Sequence, residues 1–248
     1  MNKSSVMKGN YGLDAPRSIR YLVISGVASI IAGIILQSIL ASTLSLSANI
    51  LLVCGLSAGA IMLVTAALLI WSSKIGKLQL RERLIDSLSL HGTETVLDIG
   101  CGRGLLLNAA ARHLTTGKAI GIDLWQRADQ SGNHPETTLV NAKTEGVVNL
   151  VEVKTGDMRE LPFEDNTIDV AVSSLAIHNI PDKQGRAKAV QEIARVLNPG
   201  GRLALLDFQC TAEYAQTLHE LGWHEIKLSG LQFQMFPPVR VVTGRKPV

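Results

Sequence analysis

The residues best suited to chemistry form a glycine-rich turn, Asp98–Gly104 (DIGCGRG), between a predicted strand and a predicted helix. Glycine allows a tight turn and lets a ligand approach the backbone where a side chain would collide with it. The first turn of the following helix offers free N–H groups to a carboxylate or a phosphate. Taken alone, the turn indicates a nucleotide-type cofactor at most, and it is also compatible with a purely structural role.

Acidic residues at the ends of the next two predicted strands restrict the type of cofactor that the turn could bind. Asp123 ends the second strand, 19 residues after Gly104, where a carboxylate can accept hydrogen bonds from both hydroxyls of a ribose. Asp157 follows the third strand and can accept from an adenine amino group. The glycine spacing is G-x-G-x-G, whereas dinucleotide-binding enzymes use G-x-G-x-x-G. An NAD-dependent dehydrogenase, which would also use Asp123 for its ribose, is therefore disfavoured.

In order and spacing, these motifs and the turn Asn198–Gly201 resemble those of the Rossmann-like, class I S-adenosylmethionine-dependent methyltransferases, in particular the quinone-biosynthesis branch. The resemblance extends over roughly residues 77–248. It implies S-adenosyl-L-methionine as the cofactor and a sheet of seven strands with the last one antiparallel. It also implies the cofactor contacts: Asp98, Gly100 and Gly102 hold the amino-acid part, Asp123 holds the ribose, and Asp157 with Met158 holds the adenine.

Residues beside these positions complete the expected cofactor site. Leu124 and Trp125 follow the second strand directly, and Trp125 is expected to pack beside the adenosine. Cys101 lies in the glycine turn and is also expected to contact the cofactor. Its side chain is interpreted as structural, because the turn requires a small residue there. Ser174 directly follows the fourth strand and is also expected to contact the cofactor. The polar loop Trp125–Asn133 is either an ordinary solvated loop or a lid that closes over cofactor or substrate.

The candidates for catalytic residues are His178 and Asn179, after the fourth strand, where members of the family line the acceptor pocket. Methyl transfer from a sulfonium demands little beyond a nucleophile held in line with the methyl carbon. A histidine has a pKa near neutrality and can orient or deprotonate an acceptor. The alternatives are that His178 caps the local backbone or packs beneath the cofactor, and that Asn179 is simply a turn residue.

Composition disfavours several other functions. Cys54, Cys101 and Cys210 are too few and too scattered for a disulfide framework or a zinc site, and the six histidines lack metal-ligand spacing, so we predict no metal. The net charge of +3 is concentrated in two short patches, residues 1–20 and 74–83, each with four basic residues against one acidic. The remaining residues carry 16 basic and 19 acidic side chains. A nucleic-acid partner is disfavoured, because it would need a basic face on the folded domain.

The candidate residues lie at the ends of short segments with a strand pattern, which alternate along the chain with segments that have a helix pattern. The pattern predicts an α/β domain over 77–248 with a mostly parallel sheet, and ligands of such sheets bind beyond the carboxyl ends of the strands. The predicted strands are Thr95–Ile99, Ala119–Asp123, Leu150–Lys154, Ile168–Ser173 and Arg202–Asp207, with Trp223–Leu228 and Val239–Arg245 as a final pair. The predicted helices are 77–90, Leu105–His113, Pro135–Glu145, Lys183–Leu197 and Tyr214–Leu221.

The first part of the chain has the pattern of a two-helix transmembrane hairpin over residues 21–73. The apolar runs 21–41 and 49–71 are each long enough to cross a bilayer, and no charge occurs between Arg20 and Lys74. Basic patches flank the outer ends only, which predicts a cytoplasmic tail over 1–20 and the α/β domain on the cytoplasmic side. The alternatives are a cleaved signal peptide, which is shorter and has no second span, and a soluble hairpin, which would need a large partner to cover it.

Small residues spaced four apart predict where the two apolar helices approach each other closely. These pairs are Gly55 with Gly59 in the second run, and Ser25 with Ser29 and Ala28 with Ala32 in the first.

Two functions follow as hypotheses. The first is an enzyme that transfers a methyl group to a small or lipid-like acceptor at the cytoplasmic face of the membrane, because a tether raises encounters with membrane-dissolved molecules. The second is a membrane-anchored scaffold or sensor that binds the cofactor without catalysis. The intact motifs count against the second hypothesis.

Overall fold

The computed structural model describes residues 9–126 and 132–248, and it begins with a pair of long antiparallel helices. Helix α1 (Pro16–Leu40) and helix α2 (Ser45–Trp71) coincide with the two predicted apolar runs but begin four to five residues earlier. The connection between them is four residues long, shorter than the seven predicted. Residues 45–48, which were predicted as part of the connection, belong to α2.

Glycines bring the two helices into close contact. Gly26 packs against Gly59, and a Cβ added at Gly55 would lie 2.9 Å from the Cα of Gly33. The Ser29 hydroxyl donates to the carbonyl oxygen of Gly55 at 3.2 Å. Small residues allow this approach of one backbone to another, as in helix pairs that pack within membranes.

The sequence predicted only part of this helix contact. Gly55 and Gly59 were expected at the contact and are confirmed there. On α1 the expected small-residue pairs were Ser25 with Ser29 and Ala28 with Ala32. The prediction was wrong for three of these four residues, because Ser25, Ala28 and Ala32 are exposed and the contact face of α1 contains Gly26 and Gly33 instead.

Within the described residues, two helices are long and apolar enough to cross a membrane, by length and composition alone: α1, and the continuous helix of 43 residues that contains α2. Only 11% of the most apolar stretch of each helix is buried. Their apolar side chains thus face outward, unlike those of a helix in the core of a soluble domain. Helix α2 continues through a π-helical turn (Ser72–Gly76) into α3 (Lys77–Ser87), so one helix joins the hairpin to the α/β domain.

The described part of the α/β domain contains a seven-stranded sheet in the order β3-β2-β1-β4-β5-β7-β6. The strands are β1 (Thr95–Ile99), β2 (Lys118–Asp123), β3 (Val151–Thr155), β4 (Ile168–Ser174), β5 (Leu197–Asp207), β6 (Lys227–Leu228) and β7 (Arg240–Arg245). Neighbouring strands from β3 to β5 are parallel, and β7 is antiparallel to both β5 and β6. The predicted fold class is confirmed. The strand order reverses between β1 and β4, where open sheets of this kind bind ligands.

Strand β5 and strand β6 depart from their predicted bounds. The Asn198–Gly201 segment, expected as a turn, belongs to β5, because Leu197 already pairs with Ile168 and a bulge then restores pairing at Arg202. Strand β6 has only two residues, whereas Trp223–Leu228 was predicted. The Trp223 side chain is buried in the core instead.

Helices cover both faces of the sheet. Helix α3 packs with α4 (Leu105–Ala111) and α5 (Pro135–Thr144) on one face, and α6 (Lys183–Val196) packs with α7 (Thr211–Glu220) on the other. The central strands are buried on both sides, which agrees with the uninterrupted apolar residues Val170, Ala171 and Val172 in β4. This layering leaves the carboxyl ends of the parallel strands as the edge where loops can form a site.

A buried carboxylate fastens the segment before α1 to the α/β domain. The Glu145 side chain is fully buried and accepts hydrogen bonds from the Tyr11 hydroxyl at 2.6 Å and from the Gly9 N–H at 3.1 Å. It also pairs with Arg112 and with Arg81, whose Nη1 lies 3.2 Å away. Because a buried charge is stable only when it is paired and hydrogen-bonded, this cluster fixes the chain that enters the hairpin.

The same segment also contacts the helix that leaves the hairpin. The Lys77 ammonium donates to the Tyr11 carbonyl at 3.0 Å and to the Asp14 carboxylate at 2.9 Å. The Asp14 N–H donates to the Ser73 hydroxyl at 3.0 Å. Both ends of the hairpin are therefore bonded to each other and to the domain.

Replacing Glu145 with alanine should lower the free energy of unfolding of the α/β domain by about 3 kcal/mol, because it leaves buried guanidinium groups without their counter-charge. Urea unfolding of the full chain in detergent, followed by tryptophan fluorescence, measures this change. Glu164→Ala, which removes an exposed carboxylate, is the matched control. Equal stability of the two variants would contradict a stabilising role for the Glu145 cluster.

Candidate cofactor and acceptor site

Three glycines shape the turn after β1. Gly100, Gly102 and Gly104 have φ angles of 68°, 50° and 81°, in the left-handed region that strains residues with a side chain. A Cβ at Gly100 would lie 2.2 Å from the Cβ of Ala176 and 3.5 Å from the Cε of Met158. The glycine turn therefore packs directly against the segments that follow β4 and β3.

Asp98 is buried beneath this turn, near the carboxyl end of β1. Its Oδ2 accepts the Leu107 N–H at 2.8 Å, which ties β1 to α4. Burial raises the pKa of the Asp98 carboxyl to about 7, and the nearby Asp123 carboxylate acts in the same direction, while the hydrogen bond from Leu107 opposes both. At neutral pH this carboxyl is balanced between its two protonation states, so a bound cation would favour its ionised form.

Asp123 organises the loops at the end of β2. Its Oδ2 accepts the Gly102 N–H at 2.9 Å, and its Oδ1 accepts the Trp125 N–H at 2.6 Å and the Asn133 side-chain amide at 3.2 Å. The other atom of that amide, Asn133 Oδ1, is buried and has no hydrogen-bond partner among the described residues. This acceptor atom thus lies beside Asp123, the carboxylate that is predicted to bind the ribose.

Trp125 is held across the ends of β2 and β3. Its φ of 59° is left-handed, a conformation that costs a bulky residue about 1–2 kcal/mol. Its indole Nε1 donates to the Thr155 hydroxyl at 2.8 Å, which fixes the ring in place, while the Leu124 side chain is exposed. Of the predicted lid, Trp125–Asn133, residues 127–131 lie outside the described part of the chain, so the lid stays a prediction.

Asp157 lies beyond the end of β3, with its carboxylate engaged by Arg159. It accepts from the Arg159 Nη2 at 2.6 Å, from Nε at 3.0 Å and from the backbone N–H at 2.9 Å. This guanidinium lowers the pKa of the Asp157 carboxyl. Asp157 and Lys188 both line a cleft of about 420 Å³ at this edge. An adenine amino group would have to share the carboxylate with Arg159.

Cys101 and Ser174 occupy different surroundings. The Cys101 side chain is buried against β2, with Sγ 2.7 Å from the position that a Cβ of Gly121 would take, and burial raises the pKa of its thiol. Its thiol is thus turned into the core, which fits the structural interpretation of the side chain. Ser174 ends β4 half-buried, opposite Leu206 of β5, beside the glycine turn of the neighbouring strand.

His178 lies in a short 3-10 helix after β4, against the end of β5. Its Nδ1 is 2.8 Å from Asp207 Oδ1 but off the direction of a straight hydrogen bond, so the two groups form a close polar contact. The imidazole also meets the Phe208 ring edge-on, with the ring centroids 4.6 Å apart. Asp207 is itself buried and accepts the Tyr214 hydroxyl at 3.1 Å, and burial raises the pKa of Tyr214 far above its ordinary value.

Asn179 is exposed at the end of the same 3-10 helix, so the two catalytic candidates differ in their surroundings. Sequence reasoning missed Asp207 as the partner of His178. A signal was present, because Asp207 ends a predicted strand just as Asp123 does. Sequence reasoning also missed Asn141, whose side-chain amide donates to the carbonyl of Arg103 in the glycine turn at 2.9 Å.

A second cleft, of about 430 Å³, lies at the amino ends of the strands and is lined by Glu94, Asp169 and Arg202 among others. It contains none of the predicted site residues. The described residues hold no group of three or more His, Cys, Asp or Glu side chains that could bind a metal ion. The carboxyl edge therefore remains the place where the chemical groups converge.

Residues 97–205 match the model of a protein family described as "Methyltransferase domain". The match begins in β1 and ends in β5, so it includes the glycine turn, Asp123 and His178. This part of the chain is thus similar to a methyltransferase domain, and we call the α/β domain that contains it the methyltransferase domain. S-adenosylmethionine is the cofactor that the match implies, in agreement with the glycine spacing.

The chain is similar to demethylmenaquinone methyltransferase from Lactiplantibacillus plantarum, with 34% identity over 146 residues, or 58% of this chain and 56% of that protein. It is 34% identical over 132 residues to 27-O-demethylrifamycin SV methyltransferase from Amycolatopsis mediterranei, covering 52% of this chain and 44% of the relative. The chain thus spans about half the length of these curated relatives.

Among solved structures, the methyltransferase domain is similar to the [4+2]-cyclase SpnF, with a TM-score of 0.58, 19% identity, and coverage of 69% of this chain and 81% of that one. At this identity the likeness shows the fold alone. Because a cyclase shares the fold, the reaction has to be argued from the site residues.

The residues at the carboxyl edge of the methyltransferase domain fit S-adenosylmethionine, which carries positive charge on its sulfonium and amino groups. Asp98 and Asp123 supply complementary negative charge, and the glycines leave the backbone open to a ligand. Asn133 Oδ1 adds an acceptor that none of the described residues donates to. These features match a cation joined to a nucleoside.

Affinity for S-adenosylmethionine should rise with pH and level off above about pH 7, where free Asp98 ionises. The bound cation favours the ionised form of Asp98 and so lowers the pKa of this carboxyl. In the pH range between the pKa of Asp98 in the complex and its pKa in the free protein, the affinity should rise by up to about tenfold per pH unit. Titration calorimetry of the full chain in detergent at several pH values measures this dependence. Asp98→Asn should bind more weakly and lose the pH dependence, and an unchanged slope in this variant would contradict the assignment.

Proposed function

We propose that this chain is an S-adenosylmethionine-dependent methyltransferase that modifies a small, lipid-like acceptor at the cytoplasmic face of a membrane. The observation that carries the proposal is the convergence of Asp98, Asp123 and the glycine turn at one edge of a matched methyltransferase domain. The cofactor, when bound, supplies a methyl group on a sulfonium, which is already a good leaving group.

In this proposal the chain binds the cofactor in three parts. Asp98, with the backbone of the glycine turn, holds the amino-acid part, and Asp123 with Asn133 holds the ribose hydroxyls. Asp157 and Met158 hold the adenine. Trp125, fixed by Thr155 and Asp123, packs beside the adenosine and excludes water from that side.

On the acceptor side, the contact between His178 and Asp207 supports a positioning and proton-handling role. A buried carboxylate beside Nδ1 orients the imidazole and leaves Nε2 as the atom that takes a proton from an acceptor. Phe208, packed edge-on against the imidazole, limits its rotation. Asn179, being exposed, is proposed only to contact the acceptor at the rim.

The hairpin supports a location at a membrane. Its two helices have the length and composition of transmembrane spans and expose their apolar side chains. The basic residues beside its outer ends support a cytoplasmic methyltransferase domain. The similarity to demethylmenaquinone methyltransferases supports a quinone-like acceptor, since such molecules dissolve in bilayers.

The purified full chain, incubated with methyl-labelled S-adenosylmethionine and a membrane extract, should transfer label to molecules that partition into organic solvent. Label found only in water-soluble molecules would overturn the lipid-like acceptor. No transfer at all, in a protein that binds the cofactor, would favour the non-catalytic scaffold. Asp123→Ala, which removes the ribose contact, is the control for specific transfer.

His178→Gln should lower kcat by about 100-fold if Nε2 takes the acceptor proton, with little change in cofactor affinity. The dependence of kcat on pH should also become weaker, because the group proposed to take the acceptor proton is gone. Asn179→Ala, at the neighbouring exposed position, is the matched control and should change kcat less. Equal kcat values for wild type and His178→Gln would exclude the proton-handling role.

A further inference from the structure

The loop Ser229–Val239, between β6 and β7, lies at the same edge of the sheet as the candidate site. Arg240 opens β7 directly opposite Asp207, at the carboxyl end of β5. Gln232 and Val239 form an isolated antiparallel bridge, so the residues between them project as a closed loop. The loop therefore joins the sheet one strand away from Asp207, with about 5 Å between the two backbones, and the Asp207 carboxylate contacts His178.

This loop is bonded to the base of the hairpin. The Phe236 N–H donates to the Ser72 hydroxyl at 2.9 Å, and a Cβ at Gly76 would lie only 1.6 Å from the Gln234 carbonyl oxygen. Met235 is buried in the cluster that contains Leu80 of α3. The backbone of the loop thus touches the helix directly, and the lack of a side chain at Gly76 makes this contact possible.

The contact places the loop at the level of a membrane surface if the hairpin spans the bilayer. Gly76 follows Trp71 by five residues, which corresponds to about 7.5 Å along a helix axis. A headgroup layer is roughly 5–7 Å thick, and Trp71 is the kind of aromatic residue found at its inner boundary. A side chain that projects from the loop toward the hairpin can therefore reach the layer of headgroups.

The loop exposes large apolar side chains beside others from the hairpin base. Phe233 is 69% exposed and Leu231 is 47% exposed, although both belong to a well-bonded loop. Ile75 and Trp71 are also exposed nearby on the helix. Apolar and aromatic side chains at such a position favour the boundary between headgroups and acyl chains.

Basic side chains at the hairpin base complement this apolar group. Arg17, Arg20 and Lys74 are exposed at the ends of the two long helices where the loop docks. Cations beside a membrane surface are attracted to anionic lipids. Both the positive charge and the continuity with the hairpin favour a lipid surface as the partner of these exposed side chains.

We propose that the loop Ser229–Val239 is an interfacial membrane anchor that inserts Leu231 and Phe233 among the lipids of the leaflet from which the hairpin emerges. The inference rests on the membrane location in the proposed function. With the hairpin it fixes the orientation of the methyltransferase domain, so that the edge with His178 faces the bilayer. A membrane-dissolved acceptor then reaches the site without crossing water.

Quenching by brominated lipids tests the anchor in the full chain. Phe233→Trp adds an indole to the loop, and Val148→Trp adds one at an apolar position, 38% exposed, before β3 at the opposite edge of the sheet. Both variants are reconstituted into vesicles of brominated phosphatidylcholine with phosphatidylglycerol. The emission gained in Phe233→Trp should be quenched at least about twofold more than that gained in Val148→Trp, since only an inserted ring meets the bromine atoms.

The same measurement separates this inference from the membrane location on which it rests. The wild-type chain has three tryptophans, so the quenched emission that is lost in Trp71→Phe reports the hairpin itself. If the Trp71 emission is quenched but the emission gained in Phe233→Trp is not, the hairpin is in the bilayer and the anchor is wrong. If neither is quenched, the membrane location fails as well. A blue-shifted emission from the added loop indole without quenching would indicate a protein contact, such as a second copy, and would overturn the lipid surface.

A second variant tests the consequence for activity. Leu231→Ser combined with Phe233→Ser changes only exposed side chains, so the fold and the cofactor affinity should be retained. Transfer of labelled methyl groups into the organic-soluble fraction of vesicles made from membrane extract should fall several-fold, about 3 to 10. Transfer at the wild-type rate would overturn the idea that the loop presents the site to the bilayer.

Discussion

Parallel pairing of β1, β2 and β4 is the constraint on which the rest of the structure depends. Parallel strands end at a common edge, so segments far apart in the sequence meet there. Asp98 and Asp123 come near each other in this way, and the Gly102 N–H, in the turn that follows Asp98, donates to Asp123. The polar groups that suit a charged nucleoside cofactor thus lie at positions that the backbone of the sheet determines.

The continuous helix from α2 to α3 links this edge to the hairpin. The helix leaves the hairpin at the carboxyl edge of the sheet and passes along one face of the sheet to the amino edge, where the Arg202 guanidinium bonds to the carbonyl of Leu88. The buried Glu145 cluster then fastens the segment that enters the hairpin to the same face. Because both ends are held, the hairpin has a defined direction relative to the site, which a flexible linker would not provide.

The relation between fold and reaction rests on particular residues. A cyclase shares this fold at 19% identity, so the sheet alone does not determine the chemistry. In the proposed function, Asp98 and Asp123 bind the cofactor, and the polar contact of His178 with Asp207 faces the acceptor. Specificity for one acceptor would then arise at His178 and its neighbours.

The sequence by itself determined the fold class, the bounds of most strands, the two apolar helices and the position of the glycine turn. These features depend on local periodicity and on glycine spacing, which can be read within a short window. Asp98 and Asp123 were identifiable because each lies at the end of a predicted strand. The bulge that draws Asn198–Gly201 into β5 was not, since bulges depend on pairing with a neighbouring strand.

Only the tertiary structure decided which distant residues meet. It paired His178 with Asp207, joined Tyr11 to Glu145 across more than a hundred residues, and seated the loop Ser229–Val239 on the hairpin. The glycine contacts of α1 were mispredicted for the same reason, because two apolar helices with several small residues offer several possible faces. Burial and hydrogen bonding between elements select one of them, and neither is encoded in the spacing of residues along the chain.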